Sequence, residues 1–136
     1  MAKDKVNHNV IKPFSAQSVA ASSGSATSAW IDTNGWTDKK ISVEADVTDG
    51  SGSLAMSYVM HVSPKHYYEL TQLGSSVTTD DYEAITINAS ALTAATLTSY
   101  DASDLDDLQR PFRSARFVAT NGDASDAATV NLWLEG

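Results

Sequence analysis

Residues 53–63 read SLAMSYVMHVS. In an extended chain Leu54, Met56, Tyr58, Met60 and Val62 fall on one side, and Ala55, Ser57, Val59, His61 and Ser63 on the other, because successive strand side chains point in opposite directions. One side is wholly apolar and the other mixed, which predicts a strand with a single core face. At about 3.3 Å per residue the stretch spans on the order of 36 Å, enough to cross a small sheet. Its neighbours read as partners for it.

Upstream, Ile41, Val43, Ala45 and Val47 alternate with Ser42, Glu44, Asp46 and Thr48, a half-buried strand. Asp49-Gly50-Ser51-Gly52 lies between the two runs and predicts a hairpin joining residues 40–48 to 53–63. Asn34-Gly35, a pair that tolerates positive φ, predicts a turn before Trp36. Further back, FSAQSVAASSGSATSAWID (residues 14–32) reads as two short small-residue strands around a Ser22–Ser25 turn, the second leading to Trp30-Ile31. Residues 1–13 are polar, hold Lys3, Lys5 and Lys12, and end at Pro13; they read as an arm, either free as chain ends often are or ordered on a neighbouring subunit.

Downstream, Pro64 ends the long strand and His66-Tyr67-Tyr68-Glu69-Leu70 reads as a short aromatic strand. Residues 82–88 alternate as a strand, residues 89–100 fit a strand or an extended loop, and Ser103 followed by Asp104, Asp106 and Asp107 and stopped by Pro111 supports one helical turn. The chain closes with a strand over residues 113–120, an Asn121-Gly122-Asp123 turn, and a last strand over 129–135 in which Val130, Leu132 and Leu134 face away from Asn131, Trp133 and Glu135. Seven or eight short strands joined by Gly, Asn and Asp turns predict an all-β chain: an antiparallel β-sandwich, jelly-roll-like, over residues 14–136, with an extended N-terminal arm at 1–13.

A length of 136 residues is one domain with room for a core. Absence of Cys excludes disulfides and thiolate chemistry, and the first residues lack the apolar middle of a signal peptide, so the expectation is a soluble protein assembled in a cytoplasm. Seventeen carboxylates against nine Lys and Arg give a net charge of -8, which argues against nucleic acid and anionic membranes as partners. Between His66 and Gln109 there are eight carboxylates and no Lys or Arg, whereas the first twelve residues hold three Lys and one Asp. That asymmetry fits either a solvated acidic surface or a device by which subunits recognise one another.

Catalytic signals are sparse. His8, His61 and His66 lack the spacing of a converging metal site, and Asp101, Asp104, Asp106 and Asp107 lack the Gly-punctuated pattern of a calcium loop. Asp49-Gly50-Ser51-Gly52 has no following Lys-Ser/Thr and no helix to hold a phosphate, and no pair among the carboxylates is singled out for glycosidic chemistry. The aromatics Trp30, Trp36, Tyr67, Tyr68 and Trp133 raise the question of a sugar-stacking face. Trp133 stands out because Leu132 and Leu134 take the core side and leave it outside; an outward Trp on a strand marks subunit packing, cover under a loop, or a ligand surface.

The order of features resembles small β-sandwich virion structural proteins of tailed bacteriophages, the capsid decoration or cement proteins. The resemblance rests on Trp30-Ile31-Asp32, the Asn34-Gly35-Trp36 turn, the 41–47 strand, the Gly/Ser link, the strand ending at Ser63 and Tyr67-Tyr68-Glu69-Leu70. It continues through Phe112-Arg113-Ser114-Ala115-Arg116-Phe117-Val118, the Asn-Gly-Asp turn, Ala124–Asp126 and an apolar last strand. Ser63-Pro64-Lys65-His66 stands where an Asp-Gly turn is common in the family, and residues 75–109 read as an insertion.

The resemblance implies a many-copy protein on the capsid exterior, partnered by the major capsid protein and by further copies of itself, a trimer by expectation, with no catalytic role and no cofactor. Lys3, Lys5, Lys12, Phe14 and Trp133 are the expected contact residues. The alternatives are a carbohydrate-binding or host-attachment module of a phage tail and, from a third class, a hydrolase with an unrecognised carboxylate pair.

Overall fold

A computed structural model describes residues 9–48 and 52–136. Among the described residues nine strands form two antiparallel sheets: β1 (Val10–Val19), β2 (Gly24–Thr27), β3 (Ile31–Asp32), β4 (Lys40–Val47), β5 (Met56–Ser63), β6 (Glu83–Thr86), β7 (Thr98–Tyr100), β8 (Ser114–Asn121) and β9 (Ala128–Glu135). The first sheet has the order β1-β9-β4-β7; the second has β2-β8-β5-β6, with β3 also paired to β8. This is the expected sandwich.

The stretch at 53–63 behaves as its alternation predicts. None of Leu54, Met56, Tyr58, Met60 and Val62 is more than 4% exposed, and β5 lies between β8 and β6, inside its sheet. Val130, Leu132 and Leu134 of β9 and Ile41 and Val43 of β4 are equally buried and belong to the same core cluster. Because every long strand offers one apolar face, the two sheets close on each other.

Its expected hairpin partner is different. β4 lies in the first sheet, between β9 and β7, while β5 lies in the second. β8 and β9 are likewise split between sheets, so the Asn121-Gly122-Asp123 turn also carries the chain across the sandwich. The reason is length: β4 ends at Val47 and β5 begins at Met56, and the intervening residues are long enough to cross the roughly 10 Å between packed sheets. Alternation reports a strand's core face, not its neighbour.

Of the residues 1–13 expected as an arm, 1–8 lie outside the described residues and the last four are in a strand. Val10–Pro13 are part of β1, paired to β9 from Val10–Glu135 through Val19–Ala128, and Asn9 and Gly136 exchange backbone hydrogen bonds. Ile11 and Phe14 anchor this edge strand to the core. Its register shifts on either side of Phe14, where Ala16 adopts φ +50° and its N–H is donated to Asn131 Oδ1. Such bulges and the presence of Pro13 suit an edge strand, which gains by being hard to extend.

Residues 67–73, expected to begin as a strand, form a short helix α1 (Tyr67–Leu73). His66 Nδ1 caps it by accepting from the Tyr68 N–H, and Gly74 at φ +55° closes it by donating to the carbonyls of Leu70 and Thr71. Within 103–110 the helical turn is a 3-10 turn at Asp106–Gln109, later than Ser103, with Leu108 buried under it. Part of 89–100 is the short strand β7; Leu92 adds one bridge to Met56.

Two polar side chains hold these irregular parts in place. Where β6 ends, Asn88 takes over the edge of β5: its Oδ1 accepts from Tyr58 N–H at 2.8 Å, and its Nδ2 donates to the carbonyls of Met56 and Ser90. Lys39, 2% exposed, donates from Nζ to the carbonyls of Thr37, Leu108 and Arg110 and lies 4.4 Å from the Phe112 ring centroid. Burial holds its pKa below the ordinary lysine value, with nearby Asp38 acting in the opposite sense.

Candidate interaction surfaces

The pairing of β1 with β9 places two of the expected contact residues together. Lys12 Nζ stands 4.9 Å from the Trp133 ring centroid on the outward side of the first sheet. Trp133 is half-buried there, directly opposite Ser42 of β4, whose hydroxyl is hydrogen-bonded to that of Ser99. The rest of this face is polar: Asn131 Nδ2 donates to Glu44 Oε1, and Thr129 pairs with Asp46 across β9 and β4. A cation over an indole ring with polar neighbours is a good contact anchor, since the ring supplies area and the ammonium a charge.

Phe14 is not part of that surface. It is 1% exposed and sits in the core, because the register shifts beside it turn its side chain inward. Lys3 and Lys5 lie outside the described residues.

A second cluster forms on the opposite sheet, where β8 and β5 pair Arg116 with His61. Arg116 Nε donates to His61 Nδ1 at 3.0 Å, so His61 is the neutral tautomer with its proton on Nε2. The Tyr82 ring stacks on the imidazole at 3.9 Å, and the guanidinium lies 4.6 Å from the Trp30 ring centroid and 5.2 Å from that of Tyr82. Burial, and then the Arg116 charge, push the His61 pKa down to about 4. The sequence raises His61 only as a metal-ligand candidate and Trp30 only as one of several stacking aromatics. What joins them is the β5–β8 register, which alternation alone does not give.

The remaining sequence candidates have local roles. His66 caps α1, and Asp101 Oδ1 accepts from the backbone N–H and hydroxyl of Ser103, which holds its carboxyl below the usual range. Asp107 and Glu83 share Arg110 as an ion-pair partner. Among the described residues no three His, Asp or Glu side chains come together as a metal-binding group. Open depressions of about 400 Å³ beside Trp36, Pro64, Pro111 and Phe112, and of about 340 Å³ beside Asp38, Asp101 and Glu135, contain no histidine in their linings. No helix among the described residues is long and apolar enough to cross a membrane.

No family model matches the chain, and no curated protein sequence matches it. Solved structures do. The VP2 subviral particle of infectious bursal disease virus aligns over 95% of this chain and 31% of that one, with a TM-score of 0.57 and 9% identity. The structure of the Gx strain of the same virus aligns over the same shares, with a TM-score of 0.56 and 12% identity. The likeness is one of fold. This chain spans about a third of the length of each virus chain. A CBM22-1 xylan-binding domain from Paenibacillus barcinonensis Xyn10C aligns over 82% of this chain at 13% identity, with a TM-score of 0.41, too low to bear on the fold.

Proposed function

We propose that this chain is a structural protein of a tailed-phage virion, a capsid decoration or cement protein that binds the outer surface of the major capsid protein and stabilises the head. The observation that carries the reading is the match of nearly the whole sandwich to a chain that builds a virus particle. The phage-like order of turns and strands in the sequence narrows it. On this reading the protein is not an enzyme and needs no cofactor.

The Lys12–Trp133 side of the first sheet supplies the contact with the shell. A protein bound in many copies shares its stability with the lattice through mass action, so each contact can be modest. The acidic remainder of the surface keeps the free protein soluble before assembly.

Mass-spectrometric copy counting on purified particles tests this. Hundreds of copies per particle support a capsid protein. A few copies would assign the chain to the tail and favour the host-attachment reading, and absence from particles would end the virion reading.

A further inference from the structure

We infer that Asn34 is a self-modifying site: in the folded chain the Gly35 backbone nitrogen attacks its side chain and releases the amide as ammonia, while the other Asn-Gly pair, Asn121-Gly122, is protected. The two pairs have the same local sequence and opposite surroundings.

The chemistry needs only the chain and water. The Gly35 nitrogen gives up its proton to hydroxide and bonds to Asn34 Cγ; the Cγ–Nδ2 bond breaks and Nδ2 leaves as ammonia. Water then opens the five-membered ring. Breaking the new N–Cγ bond leaves an aspartate at this position, and breaking the bond to the main-chain carbonyl carbon leaves an isoaspartate, whose chain runs through the side chain. One water enters, one ammonia leaves, and nothing is oxidised or reduced. The step is intramolecular, so its rate is set by how freely the two groups meet.

At Asn34 they meet freely. Asn34 and Gly35 are exposed at the tip of a turn that the Trp36 N–H closes by donating to the Thr33 carbonyl at 3.0 Å. The Asn34 N–H donates to Asp32 Oδ1, but neither the Asn34 side chain nor the Gly35 N–H has a hydrogen-bond partner among the described residues. Gly35 has φ +85°, and no atom lies within 4 Å of the place a Cβ would take, so the approach is open.

At Asn121 every participant is bound. The side chain is fully buried, Nδ2 donates to the Asp126 carbonyl at 2.8 Å, and Oδ1 accepts from the Asp123 N–H at 3.1 Å. The would-be nucleophile, the Gly122 N–H, donates to the Ala55 carbonyl at 2.8 Å. Reaction there waits for the turn to open.

The modification changes a surface. Asn34 lines the depression beside Trp36, Pro64, Pro111 and Phe112, where the single charged lining side chain among the described residues is Arg113. Deamidation adds a carboxylate to that lining, so the charge of the depression changes with the age of the chain.

Peptide mapping of the purified full chain by mass spectrometry, after incubation at mildly alkaline pH, tests this without any particle and so does not depend on a virion role. The expected result is conversion of Asn34 to aspartate and isoaspartate, faster at higher pH, with an isoaspartyl methyltransferase labelling the peptide that carries it. Conversion at Asn121 is slower by about tenfold or more in the folded chain, because a hydrogen-bonded turn must open first. In urea the two sites convert at similar rates. Asn34→Gln, which would have to close a six-membered ring, removes the label from that peptide. Asn34 left intact in the folded chain while the urea-denatured chain converts, conversion of Asn121 as fast as that of Asn34 before unfolding, or a label on that peptide unmoved by Asn34→Gln would each overturn the proposal.

Discussion

Lys12 holds its ammonium 4.9 Å from the centre of the Trp133 ring, although the two residues lie near opposite ends of the chain. β1 and β9 bring them together at the sheet edge, outside the core. Neither is needed to close the sandwich. Trp133→Ala therefore costs about 1–2 kcal/mol in denaturant unfolding, from lost packing and a cation–π contact worth about 1 kcal/mol, and Lys12→Ala costs less. Both variants lose co-sedimentation with purified capsids while remaining folded. Unchanged co-sedimentation would remove this face from the proposed contact.

His61 makes stability depend on pH in a defined window. Its pKa is about 4 in the folded chain, against about 6.5 when unfolded, so between these values the unfolded state binds the extra proton. Stability from this residue is complete above pH 6.5 and declines as pH falls toward 4, by up to about 3 kcal/mol. Denaturant unfolding at pH 7 and pH 4.5 measures the slope. His61→Gln, which cannot titrate, flattens it; an unchanged slope would locate the acid sensitivity elsewhere.

Face assignment was legible in the sequence, and pairing was not. Leu54 to Val62 in β5 and Val130 to Leu134 in β9 bury the sides their alternation predicts. Alternation is local, since one residue decides the direction of the next. Whether β4 lies beside β5 or across from it is decided by which sheet edges are free, and that is a property of the whole molecule. The same limit hid the Arg116–His61 pair, whose members are far apart in sequence and meet only through the β5–β8 register. Lys12 and Trp133 were legible singly, as an outward Trp and a basic segment; Phe14 was misplaced because a bulge reverses its side chain. In α1 the run of aromatic residues at 66–68 suggests a strand, yet the cap at His66 and the stop at Gly74 are the stronger local signals.

Asn88 imitates a strand with one side chain. It satisfies the Tyr58 N–H and the Met56 carbonyl where β6 no longer reaches β5, and it is buried. Asn88→Ala leaves the Tyr58 N–H unpaired, while the Met56 carbonyl keeps its bond from the Leu92 N–H, and is expected to destabilise by about 1–3 kcal/mol, the cost of one buried orphan. Asn88→Asp keeps the acceptor for Tyr58 but places an oxygen against the carbonyls of Met56 and Ser90, so it does not rescue stability at neutral pH. Equal stability of Asn88→Asp and the native chain would show that the two Nδ2 bonds contribute nothing.

Lys39 offers the sharpest test of a buried charge in this fold. An ammonium in the interior is costly to desolvate, and replacing such groups by apolar side chains of similar length is in some proteins stabilising. Here the charge meets three backbone carbonyls, at 2.8 Å for Thr37, 2.9 Å for Arg110 and 3.4 Å for Leu108, and those bonds tie the 108–110 segment to the approach of β4. Charged hydrogen bonds contribute roughly 1.5–3 kcal/mol each, so the two short ones alone offset a desolvation cost of several kcal/mol. Lys39→Met keeps the aliphatic stem and removes only the ammonium. It is expected to lower stability by about 2–4 kcal/mol, with hydrogen exchange rising first at the Leu108 and Arg110 amides, because their turn loses its tether before the sheets open. A Lys39→Met chain as stable as the native one would mean that desolvation cancels the three bonds and that the apolar stem is what the position requires.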